Sequence, residues 1–158
     1  MSMFSLIENA KVIVGAVPID TTGAAVAGDY INMSVCERMY VIIMQGAWAG
    51  GTPAVTMTQG TTASGGSTAA FTNFRAWKNT ALTDDLLASV TVAAGTFNLA
   101  ATANQCTVLE ANTEDMTDGY KFLRVGIASP GSNADLIAVL YICTGLRYQG
   151  EMPTAQIS

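Results

Sequence analysis

A chain of 158 residues, half of them hydrophobic, has material for one well-filled core and little room for a second. Only 12% of its residues are Asp, Glu, Lys or Arg, against roughly 25% in an ordinary soluble domain, so Thr, Ser, Asn, Gly and Ala must cover most of the surface. The net charge is −5, and the seven basic residues (Lys11, Arg38, Arg75, Lys78, Lys121, Arg124 and Arg147) stand singly, which excludes the clustered cations that a nucleic-acid partner needs.

The first ten residues place Met3, Leu6, Ile7 and Ala10 at helix-like spacing, and ten residues alone make a marginal helix. They are expected to form an apolar arm, residues 1–10, laid on a neighbouring subunit or over the chain's own core. Glu8 and the lack of a basic start argue against a secretion signal. Short β-branched or aromatic runs then alternate with turn residues, the pattern of strands and turns. Strands are predicted over Lys11–Ala16, Tyr30–Cys36, Met39–Gln45, Ala54–Thr58, Phe71–Lys78, Leu86–Val92, Cys106–Ala111, Tyr120–Ala128 and Ala134–Thr144. Breaks are predicted at Val26–Asp29, Gly46–Pro53, Gln59–Ser67 and Ser129–Asn133.

Two of these strands carry the most information. Leu123, Val125 and Ile127 alternate with Tyr120, Phe122, Arg124 and Gly126, the period-two signature of a half-buried strand. Ala134–Thr144 is apolar at nearly every position and is expected to run through the centre, covered on both faces. Gly150 and Pro153 mark an extended tail over residues 149–158. The expected fold is all-β: a single domain, residues 1–158, formed as an antiparallel β-sandwich or jelly-roll-like barrel with flexible N- and C-terminal arms. The apolar runs Val41–Met44 and Leu136–Cys143 fall far below the roughly 18 residues of a membrane helix, so no membrane partner is expected.

Chemistry finds little foothold. The chain has no histidine, which removes Ser–His–Asp and Cys–His arrangements and histidine-containing zinc sites. A Ser–Lys dyad on Lys11, Lys78 or Lys121 has no serine partner that spacing singles out. Cys36, Cys106 and Cys143 form no spaced pair and read as reduced thiols, the first and last inside apolar runs. The glycine-rich Gln59–Ser67 lacks the Lys and the following helix of a phosphate loop and reads as a surface loop. Glu110, Glu114, Asp115 and Asp118 offer carboxylates to a structural calcium ion without EF-hand spacing. A solvated, turn-rich edge is the simpler reading of Glu114–Asp118, with Asp118-Gly119 as a hairpin turn and Asp84-Asp85 as another solvated turn. Arg75 and Trp77 share one strand face, with Lys78 on the other, and read as an aromatic packing or subunit contact. Asn32-Met33-Ser34 matches a glycosylation acceptor that has no consequence without secretion. No catalytic residue, no cofactor-binding residue and no metal ligand is assigned, no cofactor is expected, and no enzymatic activity is expected.

Three groups of segments together resemble the small capsid decoration proteins (cement or head-stabilising proteins) of tailed bacteriophages. They are Gly28–Met33 leading into Tyr40–Ala47; Phe74–Asn79; and Asp118–Val125 through Ala138–Tyr141 to Gly145–Tyr148. The resemblance covers roughly residues 28–150. It implies a β-rich virion protein on the capsid surface, made in the host cytoplasm. Its partner would be the major capsid protein of the same virus, bound across neighbouring subunits by a homo-oligomer, a trimer by preference. The Met3–Ile7 arm and the strand around Trp77 are the first contacts to test. Alternative readings are another virion subunit, of a tail tube or head–tail joint, and a β-sandwich carbohydrate-binding module using Trp48, Trp77 and the tyrosines.

Overall fold

The computed structural model describes residues 6–79 and 86–146. One helical turn, α1 (Leu6–Asn9), leads into β1 (Ala10–Asp20). There follow β2 (Val26–Ala27), β3 (Ile31–Asn32), β4 (Arg38–Trp48), β5 (Ala54–Gly60), β6 (Thr68–Phe71) and β7 (Phe74–Asn79). The chain closes with β8 (Leu87–Val90), β9 (Thr96–Asn98), β10 (Cys106–Asn112), β11 (Phe122–Ile127) and β12 (Asp135–Thr144). Every pairing is antiparallel. The first sheet runs β1-β12-β4-β10-β7-β8; the second runs β2-β11-β5-β6, with β3 also on β11 and β9 on β5.

The two sheets pack as a sandwich, because each lends its buried alternate positions to one core. Val41, Ile43, Leu109, Val139 and Tyr141 come from the first sheet, and Val55, Met57, Leu123, Val125 and Ile127 from the second. The Tyr141 hydroxyl crosses the core and accepts the Val125 N–H at 3.2 Å, so one side chain ties the sheets together. This is the all-β antiparallel sandwich that the alternating runs lead one to expect. The alternation in β11 holds: Leu123, Val125 and Ile127 are buried, and Phe122, Arg124 and Gly126 are half-buried.

Several local expectations are corrected. The run Tyr30–Cys36 leaves the strand after Asn32, whose side chain accepts the Ser34 N–H at 2.9 Å and turns Met33–Val35 into a 3-10 helix. Phe71–Lys78 is two strands, since the chain passes at Thr72-Asn73 from β5's partner in the second sheet to β10's partner in the first. The predicted break at Gly46 is strand, because β4 continues to Trp48 and the missing side chain leaves room for Leu136 beside it. The break at Val26 holds the short β2. Gln59 and Gly60 belong to β5 and are buried. Asp118-Gly119 does form a turn, with the Tyr120 N–H on the Thr117 carbonyl at 3.1 Å and Gly119 at φ +87°. It is not a hairpin, because it carries the chain from β10 in one sheet to β11 in the other.

The largest correction concerns β12. It runs near the centre of the first sheet, as its apolar sequence implies, and Ile137, Val139, Tyr141 and Cys143 fill the core. Its other face is only partly covered by the described residues: Ala138 is buried, but Leu136 is 42% exposed, and Leu140 and Ile142 are half-buried. Met3, Asp84-Asp85 and the expected tail at residues 149–158 lie outside the described residues.

Candidate interaction surfaces

The pairing registers fix what the outer face of the first sheet presents. Val14 lies opposite Leu140, Leu140 opposite Ile42, Ile42 opposite Val108, and Val108 opposite Trp77. These five side chains form one apolar row across five strands, none of them buried in the core. The rows on either side continue the surface: Val12, Ile142 and Tyr40 on one, Met44 and Cys106 beside the buried Ala138 on the other. Val12 and Val14 are 49% and 52% exposed, and Met44 is 43% exposed. Ionic groups stand at the margin: Arg38 is 3.3 Å from Glu110, and Arg75 lies opposite Glu110 in the ladder.

A second apolar surface meets the first at β1. This strand is the edge of its sheet, and its register shifts twice, between Val14 and Ala16 and between Ala16 and Ile19. Bulges of this kind twist an edge away from open-ended pairing, and Pro18 contributes no N–H donor there. Between the shifted edge and β2 lies a groove of about 560 Å³, lined chiefly by Val14, Ala16, Val17, Ile19, Ala25 and Val26. Val17 is the most exposed of them, at 65%.

The residues singled out in the sequence fall in three places. Trp77 joins the apolar row, with Arg75 on the same outer face and Lys78 on the other, as their spacing implied. The cation–π contact formed elsewhere is Arg124 over Tyr30, 4.6 Å from the ring centre. Trp48 is half-buried and donates its indole N–H to the Gly51 carbonyl at 3.1 Å, which makes it a brace for the loop after β4. Leu6 of the expected arm is exposed at the start of the strand edge.

The acidic residues do not converge. Glu110 faces Arg38; the Asp115 carboxylate accepts from Asn73 at 2.6 Å and from Asn112 at 3.2 Å; Glu114 and Asp118 are exposed. Among the described residues no three of Cys, Asp and Glu are placed to hold a metal ion. The glycine-rich stretch forms a turn closed by the Thr62 hydroxyl, which accepts the Gly66 N–H at 2.7 Å. The cysteines form no disulfide, and Cys36 and Cys143 are buried. The hydrogen bond to Cys36, and then burial, push the Cys143 thiol well above its ordinary range, so the fold brings together two cysteines that their spacing left unrelated.

What sequence reasoning missed is the sheet face itself. Its signal was present in the unbroken apolarity of β12, but that pattern is the same whether the cover comes from within the chain or from another one. Fold and surfaces together define an all-β sandwich whose described residues leave an apolar sheet face partly open and an apolar groove along one edge.

No protein-family model matches the chain, and no curated protein matches it. Among solved structures it is similar to the SPBc2 prophage-derived protein YomS, with 9% identical residues, 84% of this chain and 93% of that chain covered, and a TM-score of 0.44. No helix among the described residues is long and apolar enough to cross a membrane.

Proposed function

We propose that this chain is a non-enzymatic structural protein of a tailed-phage virion, one that decorates the capsid and binds the major capsid protein across neighbouring subunits. The observation that carries the reading is that the described residues leave apolar surface open in two directions around β1, a sheet face and a groove, on a molecule with few ions. Apolar surface of this extent favours burial at roughly 25 cal/mol per Å². A Thr- and Ser-rich surround loses little hydration energy when another protein covers it. A staple on a shell needs such contacts in more than one direction, because modest contacts add up once several are held by geometry. The resemblance of residues 28–150 to decoration proteins supplies the identity of the shell.

The test is co-sedimentation of the purified protein with expanded, protein-depleted heads of the virus that encodes it. Saturation at a fixed ratio to the shell subunit is the expected result. Failure to pellet at any concentration sinks the reading. Rings or tubes of the protein alone in the electron microscope would then favour a tail-tube or joining subunit, and hits in a glycan screen would favour a carbohydrate-binding module.

A further inference from the structure

We infer that the outer face of the first sheet is covered by a second copy of this chain, sheet face against sheet face about a two-fold axis. The inference deepens the assembly reading only in sharing its premise that protein covers this surface, and it is tested without the shell.

Three observations point to a copy as the occupant. The first is pattern. β12 carries the continuous apolar run of a strand covered on both faces, yet the described residues bury one face fully and leave Leu136, Leu140 and Ile142 on the other partly open. The row from Val14 to Trp77 shows that the surplus is not confined to that strand.

The second is area. Six strands about 4.8 Å apart span roughly 24 Å. Its strands have from 4 to 11 residues, about 8 on average, which at about 3.3 Å per residue gives a face roughly 27 Å long. The product, about 650 Å² with the polar margins included, approaches the roughly 800 Å² that each partner contributes to a standard stable interface.

The third is charge. The ionic groups of this face, Arg38 and Arg75 against Glu110 and Asp20, stand at its margins and balance in sign. Other acids that give the chain its net charge of −5, among them Asp29, Glu114 and Asp118, lie off the face. Two copies can therefore meet here without like charges opposed at the centre, and a face without a net field selects no strongly charged partner.

Symmetry sets the number. A face that meets itself is isologous and closes at two, whereas a three-fold ring joins two different patches. The groove between β1 and β2 shares Val14 with this face, while Val17, Ile19, Ala25 and Val26 line it away from the face.

The test is sedimentation equilibrium of the full-length protein from about 1 to 100 μM, a span that brackets the micromolar range of weak protein pairs. The expected mass is twice the 16.4 kDa of the chain. Leu140→Lys and Met44→Lys should each weaken the pair at least tenfold. Met44 is already 43% exposed, so its substitution leaves the fold intact and keeps the test decisive if Leu140→Lys fails to fold. Thr56→Lys, exposed on the second sheet, should leave the mass unchanged.

A monomer throughout, a trimer, or a dimer indifferent to both face substitutions overturns the inference. So does a monomer whose binding to heads is lost with Met44→Lys, since that gives the face to the shell. A dimer that ignores heads supports the pairing while removing the decoration role. A monomer that decorates heads does the reverse.

Discussion

Tyr141 shows how much of this fold rests on single atoms. Its ring lies against Gly15 and its hydroxyl against Gly28, where any side chain would overlap it. From there the hydroxyl reaches across the core to accept the Val125 N–H. Tyr141→Phe leaves that buried donor unpaired, at a cost of about 1–3 kcal/mol, and Gly28→Ala should cost a similar amount by displacing the ring.

The same burial has a pH consequence. It pushes the Tyr141 phenol well above its ordinary value of 10.0, and the Cys143 thiol is held above its ordinary 9.0. Both groups are neutral when protonated, so on raising pH the unfolded chain loses its protons first and stability falls with pH. Their contribution is fully present below about pH 8, falls through pH 9 as unfolded Cys143 titrates, and falls faster from about pH 10 as unfolded Tyr141 follows. Urea midpoints at pH 6, 7.5 and 10.5 should be level between the first two and lower at the third. Tyr141→Phe should flatten the drop above pH 10; a wild-type midpoint unchanged at pH 10.5 contradicts the argument.

At the scale of elements, the joint at the start of β12 organises three strands. The Asp135 carboxylate accepts the Ala49 N–H at 2.6 Å and the Gly50 N–H at 3.3 Å, beyond the end of β4. Its backbone carbonyl accepts both the N–H and the hydroxyl of Thr21, beyond the end of β1. Asp135→Ala removes the acceptor of both donors at a fully buried position, with an expected loss of about 1–3 kcal/mol, since both N–H groups lie in a part-buried loop that water can reach. Faster amide exchange at Ala49 and Gly50 should accompany it. Asp135→Asn keeps an acceptor oxygen and should recover most of the protection; equal exchange in both variants would show that the carboxylate does not hold the joint.

None of this joint was legible in the sequence, where Asp135 reads as the polar start of an apolar run and Thr21 as a loop residue. What was legible is what alternation or length imposes locally: β4, β5, β10, β11 and β12 were placed to within a few residues. β2, β6 and β9 have only two to four residues each, too few to show a period, and exist because a neighbour offers a ladder. The turn at Asp118-Gly119 was visible as a turn, but which strands it connects depends on partners far along the chain. The apolar sheet face was half legible. Trp77 was marked as a contact residue, while Tyr40, Ile42 and Val108 acquire their shared face only once three strands are set in register.

For the molecule as a whole, the scarcity of ions predicts how it should respond to salt. The ion pair seen among the described residues, Arg38 with Glu110, has a half-exposed arginine, and exposed pairs of this sort contribute about 0–1 kcal/mol. Screening them with sodium chloride removes little. Apolar burial, by contrast, is strengthened by excluded salts such as sulfate. If the uncovered sheet face drives self-association, the dissociation constant measured by sedimentation should change less than threefold between 0.05 and 1 M sodium chloride and should tighten in ammonium sulfate. An interface run by charge behaves the other way, weakening steeply as ionic strength rises. A tenfold loss of affinity across the sodium chloride series would therefore move the contact off this face and onto the scattered charges elsewhere, even if the mass of the assembly were still that of a pair.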